Sequence, residues 1–217
     1  MDDAFLRSEI EADMEVRMRS LTLIKTMSAR YGFRRADKDE WLRCAFPVIY
    51  AEWEGFFCSS MALYFRQINR LNLGFHDIHP NYFVRNAEKN FRQLKEYPTE
   101  IKRKHAFLSR LYAYFRNDLI LRTDVNTENN LGFNVMNTIF ETLNMQKIED
   151  HLNHDDYSLK DDMNKFLLDT RNGIAHGNPS RTLKMEDITH AIRLVKDLMH
   201  ISLETILRAY REEAFRN

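Results

Sequence analysis

Apolar side chains recur along this chain at helical spacing, with charges filling the positions between them. Leu6, Ile10, Met14, Met18, Leu21 and Ile24 form a stripe through residues 4–30 that Tyr31-Gly32 closes. Asp37 is placed to cap a long helix carrying Leu42, Ala45, Ile49, Trp53, Phe57 and Met61 on one side, which Pro47 should kink or truly begin. LNLGFHDIHPN (71–81) reads as a connection, followed by helical segments over about 81–96 and 99–118 that Pro98 separates. LRTDVNTENN (121–130) reads as irregular. Val135, Met136, Ile139, Phe140 and Leu143 predict another helix. Ser158, with Asp161 three residues on, predicts a capped start for a helix through Met163, Phe166 and Leu167. Ile188, Ile192, Val195, Met199 and Ile206 predict a closing helix over about 185–212. The expectation is an all-α helical bundle of five to seven helices, with residues 1–217 forming a single domain.

Composition agrees with that pattern. Six glycines and four prolines in 217 residues are about half the usual frequencies, too few for the many tight turns of a β-sandwich or barrel. The start, MDDAFLRSEIEADMEV, has the character of neither a signal nor a transit peptide, and no apolar run approaches a membrane span. Cys44 and Cys58, with apolar neighbours, are expected in the core and reduced, which suits the cytoplasm.

The chain holds 32 basic and 32 acidic residues, but they are segregated. From Arg85 to Arg116 nine Lys or Arg face three acids, a net of +6, whereas Glu141 to Asp169 carries eight acids against three lysines, a net of −5. Two solvated helical faces that attract one another would account for this, as would a basic wall for a phosphate backbone. In the second case Lys102, Arg103, Lys104 and Arg110 are candidate RNA-guiding residues. Tyr82, Phe91, Phe107, Tyr112, Tyr114 and Phe115 would then be either base-stacking or core aromatics.

Signatures of nucleotide-binding loops, nucleophile elbows and zinc hydrolases are missing. His76-x-x-His79 and His151-x-x-His154 lack partner ligands. The Asp155-Asp156 and Asp161-Asp162 doublets suit a helix N-terminus better than a magnesium site, so neither metal nor cofactor is expected. One stretch concentrates chemistry: LLDTRNGIAHGNPSR, residues 167–181, gathers Arg171, Asn172 and His176 at the end of an amphipathic segment. Asn172 and His176, four apart, share a helical face. Arg171 and His176, five apart, converge only if the arginine reaches across or the last turn loosens at Gly173. A histidine suits proton transfer near neutrality and a guanidinium suits bidentate phosphate contact, the requirements of RNA cleavage by its own 2′-hydroxyl. The alternative from spacing alone is structural, with Arg171 bonded to Asp169 or a helix-end carbonyl and His176 as a cap.

RNGIAHG, upstream of one closing helix, resembles the R-x4-6-H motif of the HEPN superfamily. IYAEWEGFF (49–57) is similar to the Y-x-x-W-E-G segment of one prokaryotic HEPN branch, here Tyr50, Trp53, Glu54 and Gly55. The resemblance implies a helical bundle forming a symmetric homodimer, with two arginine–histidine motifs facing across a cleft. It implies a metal-independent endoribonuclease, a toxin or antiphage effector, with a possible antitoxin protein as partner. Arg171 would steady the phosphorane, His176 would act as acid or base, and Asn172 would position one of them. Trp53 and Glu54 would support the site from behind, or would be a core residue and an arginine partner. Asn178 stands where some toxin branches carry a tyrosine. Some members of the superfamily have lost catalysis and serve as helical modules for dimerisation or for binding nucleotides or proteins.

Overall fold

The computed structural model describes residues 1–116, 119–150, 158–178 and 182–217. The helices are α1 (Ala4–Arg30), α2 (Arg35–Asn69), α3 (Pro80–Asn90), α4 (Ile101–Arg116) and α5 (Phe133–Thr142), then α6 (Leu159–Asp161), α7 (Asp169–Ala175) and α8 (Met185–Arg211). A π-helical stretch, Asp162–Leu168, joins α6 to α7, so the described residues form seven helical runs and no strand.

The three long helices make the frame: α2 packs along α8, and α1 lies against both. Their shared interior is aromatic and aliphatic, with Phe46, Trp53, Phe56, Phe57, Met61, Phe65, Val195, Leu198 and Ile206 fully buried. At Gly55 an added Cβ would lie 2.6 Å from Arg17 Nη1. The missing side chain lets Arg17 of α1 lie across α2, where it pairs with Asp13 and Glu52. Arg7 to Glu204 and Arg211 to Asp3 tie α1 to the C-terminal helix.

Asparagines do much of the work that a chain poor in glycine and proline cannot assign to turns. Asn69 accepts from Leu121 N–H and donates to Leu121 C=O, and Asn137 grips both backbone groups of Ile148 in the same way. Asn86 bonds Ile120 C=O and Arg122 N–H. These clamps satisfy buried and part-buried backbone groups of segments that lack regular structure. Asn72, Asn129 and Asn144 also take left-handed backbone angles at turns.

Several boundaries differ from expectation. The second helix begins at Arg35, so Asp37 lies inside its first turn instead of capping it, where a carboxylate still meets the positive end of the helix dipole. Pro47 neither starts nor ends that helix. The segment expected to run to about residue 96 stops at Asn90, because Phe91 leaves helical geometry (φ −132°, ψ 85°) to pack its buried ring against Phe107 and Tyr114. Cys44 is exposed and Cys58 only partly buried, which corrects their assignment to the core. The wall of α2 facing inward is set by Leu42, Ala45, Phe46 and Ile49, and position 44 falls between them on the outside. Ser158 caps its helix as anticipated, its hydroxyl accepting from Asp161 N–H.

Candidate active site

Residues 159–175 make one helical run of uneven pitch. Leu159, Met163 and Leu167 are buried at intervals of four, which outpaces a 3.6-residue turn and suits the wider π geometry. Beyond Leu168 the α geometry returns and carries Arg171 and Asn172, both partly buried. His176 is the C-cap, and Gly177 (φ +71°) reverses the chain. Asn178 N–H bonds Gly173 C=O at 2.9 Å and Gly177 N–H bonds Ile174 C=O at 3.0 Å. This pair of bonds is a Schellman closure, and it leaves the imidazole on an exposed turn.

Gly177→Ala is expected to cost about 1–2 kcal/mol, because a Cβ is disfavoured in left-handed geometry. Thermal melting would read that loss, and a value near zero would mean the turn relaxes freely.

The guanidinium of Arg171 lies against α2 and residues 127–131, and it makes no ion pair with Asp169. Its Cζ sits 4.7 Å from the centre of the Tyr50 ring, and Nη1 donates to Asn172 Oδ1 at 2.7 Å and to Asn130 Oδ1 at 3.2 Å. Stacking on an aromatic face stabilises the cation without neutralising it. Burial, aided by nearby Glu54, pushes the Tyr50 phenol up to about 12 against the opposing pull of the Leu131 N–H and Arg171. Tyr50 is therefore a neutral phenol at physiological pH.

Three side chains of α2 grip the segment that brings Asn130 to the arginine. Leu131 N–H donates to Tyr50 Oη at 2.6 Å, and Trp53 Nε1 donates to Leu131 C=O at 3.4 Å. Thr127 Oγ1 donates to Glu54 Oε1 at 2.6 Å. Glu54 thus holds a threonine in the irregular segment, and among the described residues it neither bonds Arg171 nor pairs with another arginine. Trp53 is both core and support, fully buried yet bonded to the same segment. Asn172 engages the arginine and not the histidine through its side chain. Asn130 escaped sequence reading because its segment has no periodicity; the run of asparagines at its end was the only signal.

The basic stretch is split. Arg85 and Lys89 bond the Asp124 carbonyl, and Lys89 also pairs with the Asp124 carboxylate. Together with Arg122 this pairing draws the Asp124 carboxyl down to about 2. Lys102, Arg103 and Arg110 are exposed, while Lys104 lies over the Tyr97 ring. Arg103 pairs with Glu100, and Arg110 covers Phe91. The ring contacts of α4 run to Phe75, Phe83, Phe91 and Tyr97. Of the expected aromatics, Tyr82, Phe91 and Phe107 are buried, and Tyr112 and Phe115 are exposed. A cavity of about 390 Å³ lies between α3, residues 125–128 and α5, and Arg171, Asn172 and His176 do not line it.

Among the expected metal candidates, His79 Nδ1 accepts from Asn81 N–H to cap α3. Asp161 pairs with Lys165, and Asp162 Oδ2 lies 2.8 Å from His190 Nε2. His151, His154, Asp155 and Asp156 lie outside the described residues. Among the described residues no helix is long and apolar enough to cross a membrane.

The described residues form an all-α bundle in which the short α7, with Arg171 in its last turns and His176 as its C-cap, precedes the long closing helix α8. The RiboL-PSP-HEPN family model matches residues 12–208, and the chain belongs to that family. HEPN domains are generally linked to ribonuclease activity. The chain matches no curated protein and no solved structure at significant similarity.

Proposed function

We propose that this protein is a metal-independent endoribonuclease, acting as a homodimeric toxin or antiphage effector in the cytoplasm. The observation that carries the reading is the state of Arg171. Its guanidinium is stacked on a neutral ring and bonded through Nη1 to two amide oxygens, with no carboxylate bonded to it among the described residues. A cation held in place but not neutralised is what a phosphate site requires.

The RNA 2′-hydroxyl attacks the adjacent phosphorus, its proton passing to the His176 imidazole. The P–O5′ bond breaks as the 2′,3′-cyclic phosphate forms, and the departing 5′-oxygen takes up a proton. Arg171 holds the nonbridging oxygens while charge gathers on them, and Asn172 fixes the arginine. In a two-fold dimer the two copies of His176 would supply base and acid across one cleft. The exposed cations Lys102, Arg103 and Arg110, with Lys104 beside them, would guide the RNA by sequence-independent phosphate contacts. A protein inhibitor that covers the Arg171–His176 turn would silence such an enzyme.

The test is cleavage of end-labelled RNA in EDTA. Cleavage is expected to persist with the unaltered protein and to fall about 10²–10⁴-fold in His176→Ala, with a comparable or larger fall in Arg171→Ala. RNA binding without cleavage in every variant would instead identify a catalytically silent binding module.

A further inference from the structure

We propose that residues 127–131 are a positioning element for the phosphate-binding arginine, with Asn130 joining Asn172 in setting its orientation. The inference rests on the ribonuclease reading and adds a residue, and a role for the W-E-G helix, to it.

Four observations converge. The segment is gripped at both ends by α2, through Glu54 at Thr127 and through Tyr50 and Trp53 at Leu131. Between those anchors Glu128 and Asn129 both adopt left-handed angles (φ 56° and 60°), and Asn130 N–H bonds Thr127 C=O at 3.0 Å. The segment is therefore a tight, over-determined bend whose shape its anchors enforce. Its product is Asn130 Oδ1 at 3.2 Å from Arg171 Nη1. Asn172 binds that same nitrogen and the Tyr50 ring covers a face of the guanidinium, so the two amides restrain its Nη1 end while the ring lies over its plane. The Nε–Nη2 edge makes no hydrogen bond among the described residues. That edge presents two parallel N–H donors, the arrangement that matches two phosphate oxygens. Asn130 thus acts with Asn172 to select which edge of Arg171 meets the substrate. Tyr50, Trp53 and Glu54 act one step further back, by holding the bend.

The probes are a mixed-sequence single-stranded RNA labelled at one end, and its 2′-O-methyl counterpart, which cannot be cleaved by this route. Asn130→Ala is expected to lower kcat/KM about tenfold, the size of one lost hydrogen bond to a charged group, with the melting temperature unchanged. Asn130→Asp keeps the acceptor but adds a charge that competes with phosphate, so KM should rise with little change in kcat. In an Arg171→Ala background, Asn130→Ala should produce no further weakening of 2′-O-methyl RNA binding, because its only route to the substrate is gone. The proposal is overturned if Asn130→Ala cleaves like the unaltered protein, or if it weakens binding equally in both backgrounds. Those results leave the ribonuclease reading standing. Failure of the unaltered protein to cleave or bind RNA would overturn both.

Discussion

An Arg171→Lys variant is expected to cleave RNA roughly 10²–10³-fold more slowly than the unaltered protein, the usual cost of removing one preorganised charge-stabilising donor. Charge is conserved in this change; geometry is not. Nη1 now serves Asn130 and Asn172 together, and the planar cation lies 4.7 Å over Tyr50. A lysine ammonium is a compact point charge whose donors cannot hold both amides and still offer a two-pronged edge to phosphate. The loss should appear in kcat, since the arginine is asked to stabilise charge that develops only as the phosphorane forms. Single-turnover cleavage at saturating enzyme checks it. A lysine variant within a few fold of the parent would mean that net charge alone serves the substrate.

Trp53→Ala should destabilise the fold by about 3–5 kcal/mol, the range for truncating a large buried aromatic. Trp53 is fully buried, its ring lies 5.7 Å from that of Phe57, and Phe57 in turn meets Phe140 of α5 at 5.5 Å. Removing it opens a cavity where α2 meets α5 and leaves the buried Leu131 carbonyl without its donor. Trp53→Phe separates the two contributions. Most of the packing is retained, so its stability loss should be much smaller, while the 127–131 bend loses one anchor. Guanidinium denaturation of both variants provides the comparison. A loss below about 1 kcal/mol for the alanine variant would show that the interior closes around the gap.

The same helix face thus both packs the core and holds the bend beside Arg171, which explains why sequence alone left Trp53 and Glu54 between two roles. Tyr50, Trp53 and Glu54 occur at the i, i+3, i+4 spacing of a core stripe, and that pattern cannot distinguish packing from support. Their partners are 73 to 81 residues away in the chain. Only folding brings those partners near. The basic stretch teaches a similar lesson: a local excess of Lys and Arg was legible, but not that Arg85 and Lys89 are engaged with Asp124.

Amphipathic periodicity and the scarcity of glycine and proline were enough to specify helices and most of their order, because a helix's buried face follows from residues three and four apart. The Schellman turn that closes α7 is likewise local, since Gly177 and Asn178 bond back to Ile174 and Gly173 within the same short stretch. Tertiary structure alone decided where the Arg171 guanidinium points. Its orientation comes from a ring on α2 and an amide in an aperiodic bend, and interactions between segments so distant in the chain have no local pattern to read.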